Sequence, residues 1–293
     1  MWKVVSGKCS AMIRRWRDYP LRNGIVWMGR YRIDRFLGMG SYGQAYACTD
    51  TGSGRTVLLK RNKPSKKEIG RLLLRRESRI LRELRHPRIP KWIGYETRGR
   101  DEALIMELVE GDDLESRLMA QGRALTLREA LCIAKELLRT LGYLHGAGFV
   151  HRDVRIPNVM AKDGAIYLID YGLACRIGEQ LPEPLRLGLN EPDPDMAAPG
   201  AAAGSDSWSA FKRKMRRPLP SSDLYGLGHL FLFIMYAGYE PEEGQAERSW
   251  EEELALPRPV VLFVRRLLEL EEPGWQSADQ CLQELDRLMA ELQ

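Results

Sequence analysis

Two short stretches carry the residue types that could do chemistry. One is His151, Arg152, Asp153, Val154, Arg155, Ile156, Pro157, Asn158, and the other is Asp170, Tyr171, Gly172. Between them lie two apolar runs, Val159 to Lys162 and Ala165 to Ile169, separated by Asp163-Gly164, a strong short hairpin signal. With a two-residue turn there, Asn158 falls opposite Ile169, so Asn158 and Asp170 emerge side by side at the open end of one hairpin. An amide oxygen beside a carboxylate is a hard-oxygen pair, suited to a magnesium ion that keeps water and phosphate ligands. Asp153 precedes this pair on the incoming loop, free of the metal and able to accept a proton.

Such a site needs something to hold phosphate, and the first hundred residues supply it. Tyr31 to Leu37 reads as a strand, runs into Gly38-Met39-Gly40-Ser41-Tyr42-Gly43, and is followed by a second alternating strand, Gln44 to Cys48. A dinucleotide fingerprint would need a helix after the glycines. A strand follows instead, so the glycines form a hairpin flap whose backbone can close over phosphates. Thr56 to Lys60 is an apolar strand ending in an ammonium that is costly to bury unpaired. Over 71–84 the helical spacing places Leu73, Glu77, Ile80, Leu81 and Leu84 on one stripe, while Arg75, Arg76, Arg79 and Arg82 face elsewhere. A carboxylate on a buried face wants a cation, and Lys60 is the candidate. Thr126 and Glu129 form a capping box that opens a helix leading to His151. The stretch Asp223 to Met235 is apolar on all sides yet too short to span a membrane, so it reads as a buried central helix.

In this order the motifs resemble those of the protein kinases: a glycine-rich loop, a strand Lys with a helix Glu, H-R-D-x-x-x-x-N, and a D-F-G whose Phe is Tyr171. The resemblance runs from about residue 30 to the end of the chain. It implies an α+β, two-lobed protein kinase fold, with a β-rich N-lobe over 30–106, a hinge at 107–111, a mostly helical C-lobe over 112–293 and a long activation segment at 173–222. It further implies transfer of the γ-phosphate of ATP, with Mg2+, to a protein Ser/Thr hydroxyl. Asp153 would orient and deprotonate the hydroxyl, Asn158 and Asp170 would hold magnesium, and Lys60, fixed by Glu77, would grip the phosphates. Arg155 stands where Ser/Thr kinases usually carry Lys, and its fork can reach the γ-phosphate. The nucleotide would be lined by Leu37, Gly38, Gly40, Gly43, Ala45, Leu58, Met106 at the gatekeeper position and Met160. Backbone groups of Glu107 and Val109 would read the adenine edge, and Asp113 would lie near the ribose. Ala45 and Leu58 replace the usual Val and Ala, one smaller and one larger, which reshapes the adenine wall at about constant volume. Asp223 matches the Asp that kinases use to hold the catalytic loop backbone.

The departures are concentrated after Gly172. The closing Ala-Pro-Glu is absent, and so is the Arg that pairs with its Glu, replaced by Gln276. These two losses are coherent, because either partner alone would be a poorly satisfied charge. The Pro- and Ala-rich composition of 190–204 predicts mobility over much of the segment. If Arg152 meets a phosphorylated segment, the candidates are Ser205, Ser207, Ser209, Ser221 and Ser222. A nucleotide-binding scaffold without catalysis and a small-molecule kinase of related fold remain the alternatives.

Composition adds the setting. Of 293 residues, 44% are hydrophobic and 29% charged, an ordinary globular balance. Five scattered cysteines with no C-x-x-C pair argue against a disulfide framework or a zinc site and favour the cytoplasm. The net charge of +5 hides an asymmetry: fifteen Lys or Arg against four Asp or Glu over 60–100, and fourteen acidic against five basic from Glu240 onward. Residues 1–29 form a basic, Trp-containing extension, which fits either an extension packed on the first lobe or an amphipathic helix on an anionic membrane surface. No nucleic acid partner is expected.

Overall fold

In the computed structural model the described residues are 18–121, 125–189, 207–239 and 248–292. They fall into two units. The first comprises Met1–Glu83, Pro90–Leu108 and Pro182–Asn190, and the second comprises Leu84–Ile89, Val109–Leu181 and Glu191–Gln293.

The first unit is built on a six-stranded antiparallel sheet. Its strands are β1 (Val26–Trp27), β2 (Tyr31–Met39), β3 (Gly43–Asp50), β4 (Thr56–Asn62), β5 (Trp92–Arg98) and β6 (Asp101–Glu107), in the order β1-β2-β3-β4-β6-β5. The period of two sorts the side chains onto two faces. Tyr31, Ile33, Tyr46, Cys48, Val57, Leu59, Ala103 and Ile105 form one buried cluster. Register then fixes the opposite face: Ala45 pairs with Lys60, Lys60 with Leu104, and Leu58 with both Ala47 and Met106. The candidate nucleotide-lining residues Ala45, Leu58, Lys60 and Met106 therefore share one face of the sheet. Helix α1 (Lys67–Glu83) buries Leu73, Leu74, Glu77, Ser78, Ile80 and Leu81. It starts four residues before the expected 71, following a 3-10 turn at Pro64–Lys66. That turn is held by Asp18, whose carboxylate accepts from the Ser65 amide at 2.9 Å and the Ser65 hydroxyl at 2.5 Å. The end of the N-terminal extension is thus packed on this unit: the Asp18 carbonyl accepts from Gln44 Nε2 at 2.6 Å, and the Leu21 amide donates to the Tyr46 hydroxyl at 3.1 Å. The amphipathic pattern of residues 1–17 lies outside the described residues.

The second unit is mostly helical: α2 (Leu114–Gln121), α3 (Leu127–Gly146), α5 (Ser207–Met215), α6 (Pro220–Tyr236), α7 (Trp250–Glu253), α8 (Arg258–Leu267) and α9 (Ala278–Glu291). One more helix, α4 (Glu183–Leu189), belongs to the first unit. The capping box opens α3 as expected: the Glu129 amide donates to Thr126 Oγ1 at 3.2 Å, and Glu129 Oε2 accepts from the Thr126 amide at 2.8 Å. Helix α6 is buried nearly all round, as its sequence requires. A Cβ at its Gly226 would meet the Val154 carbonyl oxygen at 2.8 Å, so glycine lets this central helix approach the loop that carries Asp153. The strands of this unit are short: β7 (Asp112–Asp113), β8 (Phe149–Val150), β9 (Val159–Lys162), β10 (Ala165–Leu168) and β11 (Cys175–Arg176). The Pro- and Ala-rich run 190–204, on which mobility was expected, lies outside the described residues; the described stretches of 173–222 include two helices, α4 and α5. Among the described residues no helix is long and apolar enough to cross a membrane.

Candidate functional site

In the second unit, β9 and β10 pair as the sequence dictates, Lys162 opposite Ala165 and Val159 opposite Leu168. Asp163 at φ 50° and Gly164 at φ 76° make the two-residue turn, a left-handed pair whose twist suits an antiparallel hairpin. The Ile169 amide donates to the Asn158 carbonyl at 2.9 Å, closing the open end. Asn158 and the next residue, Asp170, are therefore neighbours by register. Asn158 is buried and turns its amide nitrogen to Asp153, donating to the carbonyl at 2.9 Å and to Oδ2 at 2.7 Å. That leaves the acceptor oxygen at the other end of the group. Asp170 is exposed, sits at φ 62°, and accepts from the Gly172 amide at 3.1 Å. The other Asp153 oxygen meets Arg155 Nε at 2.9 Å. With a donor on each oxygen, the carboxylate is held in one rotation.

The loop that carries Asp153 hangs on α6. Asp223 has no solvent exposure, and its carboxylate accepts from the His151 amide at 2.8 Å and the Arg152 amide at 2.7 Å. A third partner, His145 Nε2, lies 2.9 Å from Oδ2. The backbone role inferred for Asp223 was legible from its motif; the part of His145, from the last turn of α3, was not. Arg152 occupies the left-handed region at φ 65°, which a β-carbon disfavours and which the two amide bonds to Asp223 hold in place. Its guanidinium donates to the Arg216 carbonyl at 2.6 Å and the Leu173 carbonyl at 3.2 Å. The residue expected to meet a phosphate thus binds backbone from both ends of the segment. His151 is buried, with Nε2 3.1 Å from the Ile169 carbonyl and its ring edge-on to Tyr171 at 4.8 Å. The Tyr171 hydroxyl is buried with no hydrogen-bond partner among the described residues, and burial drives its pKa well above the ordinary phenol value. Met160 is half-buried on β9, opposite Asp113 on β7. Both Asp113 oxygens cap α2, accepting from the Ser116 amide at 2.7 Å and the Ser116 hydroxyl at 2.6 Å. A ribose contact from Asp113 would compete with that cap.

In the first unit, Lys60 Nζ lies 2.8 Å from Glu77, whose side chain is 2% exposed against 18% for Lys60. A buried carboxylate on α1 therefore holds an ammonium whose side chain stays partly open, on the sheet face that also carries Ala45, Leu58 and Met106. Leu37 is exposed at the edge of the flap, and Gly38 pairs with Ala45. At Gly43 a Cβ would meet the Arg61 carbonyl at 3.2 Å, so the flap strand runs close to β4. The Gly40 amide donates to the Gly43 carbonyl at 2.9 Å, which shapes the flap tip. Glu107 ends β6; its amide is already engaged, donating to the Lys91 carbonyl at 2.8 Å, so a ligand edge would be read by its carbonyl. Val109 is buried at the start of the second unit's central stretch. One polar cluster escaped the sequence reading. Glu102 is buried between Arg75, paired through its guanidinium, and Tyr95, whose hydroxyl donates at 2.6 Å. This explains why Arg75 faces away from the apolar stripe of α1.

The sequence matches the protein kinase domain family over residues 31–292. It is 30% identical over 257 residues to the probable serine/threonine-protein kinase YbdM of Bacillus subtilis, covering 87% of this chain and 88% of that protein. It is 32% identical over 232 residues to the serine/threonine-protein kinase PknA of Mycobacterium tuberculosis, covering 76% of this chain but 49% of PknA. Among solved structures, the PknI kinase domain from Mycobacterium tuberculosis, crystallised as a point mutant, superposes with a TM-score of 0.63 at 20% identity. That superposition covers 93% of this chain and all of the PknI chain, and at such identity it speaks for the fold alone.

Proposed function

The chain belongs to the protein kinase domain family, and on that premise we propose the residue roles by which it transfers the γ-phosphate of ATP to a serine or threonine hydroxyl of a protein. The observation that carries the proposal is the Asp153 carboxylate, with a donor on each oxygen at 2.7 and 2.9 Å, next to an amide and a carboxylate on one hairpin. Bound Mg-ATP supplies the electrophilic phosphorus and the cation that offsets its charge. The donor set fits that group: Asn158 and Asp170 are hard-oxygen ligands, and Lys60 is a partly open ammonium with a buried counter-charge.

Each residue then has a defined task. Lys60, fixed by Glu77, binds phosphate oxygens. Asn158 and Asp170 hold magnesium. Asp153 uses its remaining lone pairs to orient the acceptor hydroxyl and take its proton. Arg155 holds Asp153 and offers its outer guanidinium nitrogens to the transferred phosphate. Leu37, Gly38, Gly40, Gly43, Ala45, Leu58, Met106, Glu107, Val109, Asp113 and Met160 bind the nucleotide.

The test is radiolabelled phosphotransfer with wild type and Asp153→Asn side by side. A positioned base contributes about 10² to 10⁴ in rate, so Asp153→Asn lowers turnover at least about tenfold while the Mg-ATP thermal shift survives. Equal turnover in the two proteins would remove Asp153 from the mechanism. A Mg-ATP shift without product in the wild type would leave a nucleotide-binding scaffold.

A further inference from the structure

The glycine-rich flap is seated on structure that the phosphotransfer reading does not use. Tyr42 lies at its tip, between Gly40 and Gly43. The Tyr42 hydroxyl donates to the Gly188 carbonyl of α4 at 2.8 Å. Lys66 Nζ stands over the Tyr42 ring, 4.9 Å from the centroid, and the Tyr42 carbonyl accepts from the Lys63 amide at 2.9 Å. The tip is therefore held from one side by the turn that begins α1 and from the other by α4.

Helix α4 also touches α1 itself. Leu185 and Leu189 are buried, and a Cβ at Gly188 would meet Ile69 Cγ2 at 2.8 Å and Cδ1 at 3.1 Å. Only a glycine lets α4 come this close to α1. Ile69 and Glu77 are eight residues apart on that helix, about 12 Å along its axis. One short helix from the 173–222 segment thus bears on both the flap tip and the helix that carries the Lys60 counter-ion. The same segment lacks the Ala-Pro-Glu that would ordinarily close it, and its first helix has this seat instead.

We propose that α4 is an intramolecular brace for nucleotide binding, in which Tyr42 and Gly188 are positioning residues that hold the flap and α1 in their phosphate-binding arrangement. The proposal rests on the kinase reading above. A flap of glycines has many accessible conformations, and ordering it only when ATP arrives raises the KM for ATP; a tip already fastened avoids that. Tyr42 neither holds magnesium nor takes the proton in that reading, so its effect falls on KM and leaves kcat nearly intact.

The experiment uses the full chain with labelled ATP and casein as acceptor, comparing wild type with Tyr42→Phe, Gly188→Ala and the double variant Ile69→Ala/Gly188→Ala. Hydrogen exchange of the flap amides is measured on the same samples. Tyr42→Phe and Gly188→Ala each raise the KM for ATP about fivefold, the scale of one net hydrogen bond, with kcat within about twofold. Flap exchange speeds up in both. In the double variant the space vacated by Ile69 admits the new methyl, and KM returns to within about twofold of wild type. An unchanged KM and flap exchange in both single variants overturns the brace, as does a double variant no better than Gly188→Ala. A lower KM or higher kcat in either single variant also overturns it, since α4 would then restrain the flap. Should Gly188→Ala not fold, Tyr42→Phe removes a single oxygen and decides alone. Absence of phosphotransfer in the wild type would instead refute the kinase reading.

Discussion

Replacing Asp223 by Asn changes one atom and tests how the loop that carries Asp153 is held. The carboxylate is fully buried; Oδ2 accepts from the His151 amide and faces His145 Nε2, and Oδ1 accepts from the Arg152 amide. An amide has one acceptor oxygen, so its nitrogen must face a donor in either orientation. Turned toward Arg152 it loses the bond from that amide; turned the other way it loses the bond from the His151 amide. Either choice removes a charge-assisted bond, about 1.5–3 kcal/mol, and leaves a buried backbone N–H unpaired, about 1–3 kcal/mol. The expected destabilisation is therefore about 2.5–6 kcal/mol. Arg152 sits at φ 65° because two amides are pinned, so releasing one lets its backbone relax and moves Asp153, the next residue. A shift of about 1 Å at such a group costs about 10²-fold in rate. Urea unfolding followed by tryptophan fluorescence reads the first effect, and steady-state kinetics read the second. kcat falls while the KM for ATP changes little, because Lys60 and the flap do not depend on Asp223. A variant within about 1 kcal/mol of wild type with unchanged kcat would show that the three bonds do not hold the loop.

Three further outcomes follow from single contacts. Glu77→Gln leaves Lys60 without its buried counter-charge, and the KM for ATP rises about tenfold in initial-rate assays, equivalent to about 1.4 kcal/mol; an unchanged KM would mean the pair does not position Lys60. Tyr171→Phe removes a buried hydroxyl that has no partner among the described residues and raises stability by about 1–3 kcal/mol in urea titration, whereas a loss of stability would reveal a bond to that oxygen. His229 packs edge-on to Phe211 at 4.7 Å and Tyr225 at 4.6 Å, and burial, with Lys214 nearby, pulls its pKa down to about 4 from 6.5. The folded state then binds fewer protons than the unfolded chain between these values. Its contribution is complete above 6.5 and is lost as pH falls toward 4. His229→Phe flattens the decline of the urea midpoint between pH 7 and pH 5; an identical decline would mean that His229 is not the titrating group.

Much of the site was legible because its geometry is local. A two-residue Asp-Gly turn between strands of equal length leaves one register, so Asn158 and Asp170 are neighbours before any tertiary contact forms. Glu77 on an apolar stripe demands a cation, and Lys60 closing an apolar strand demands an anion. Thr126 and Glu129 name a helix start three residues apart. Sheet parity sorts Ala45, Leu58, Lys60 and Met106 onto one face once the strands are paired.

What sequence could not determine joins residues with no fixed spacing. His145 meets Asp223 across 78 positions, through the packing of α3 on α6. Arg152 finds the Leu173 and Arg216 carbonyls, and a backbone acceptor has no residue type to announce it. The cap that Asp113 makes on Ser116 was not read from the sequence, where Asp113 was placed only near the ribose. Nothing in the local sequence announced that Leu185, Leu189 and Gly188 seat α4 on Ile69 and Tyr42, because burial against a distant surface outweighs weak local propensity. Side-chain type and short-range periodicity are enough to name the candidate groups and the hairpin register that pairs two of them. What holds those groups in place depends on which surfaces meet once the core is buried, and so became visible only in the folded chain.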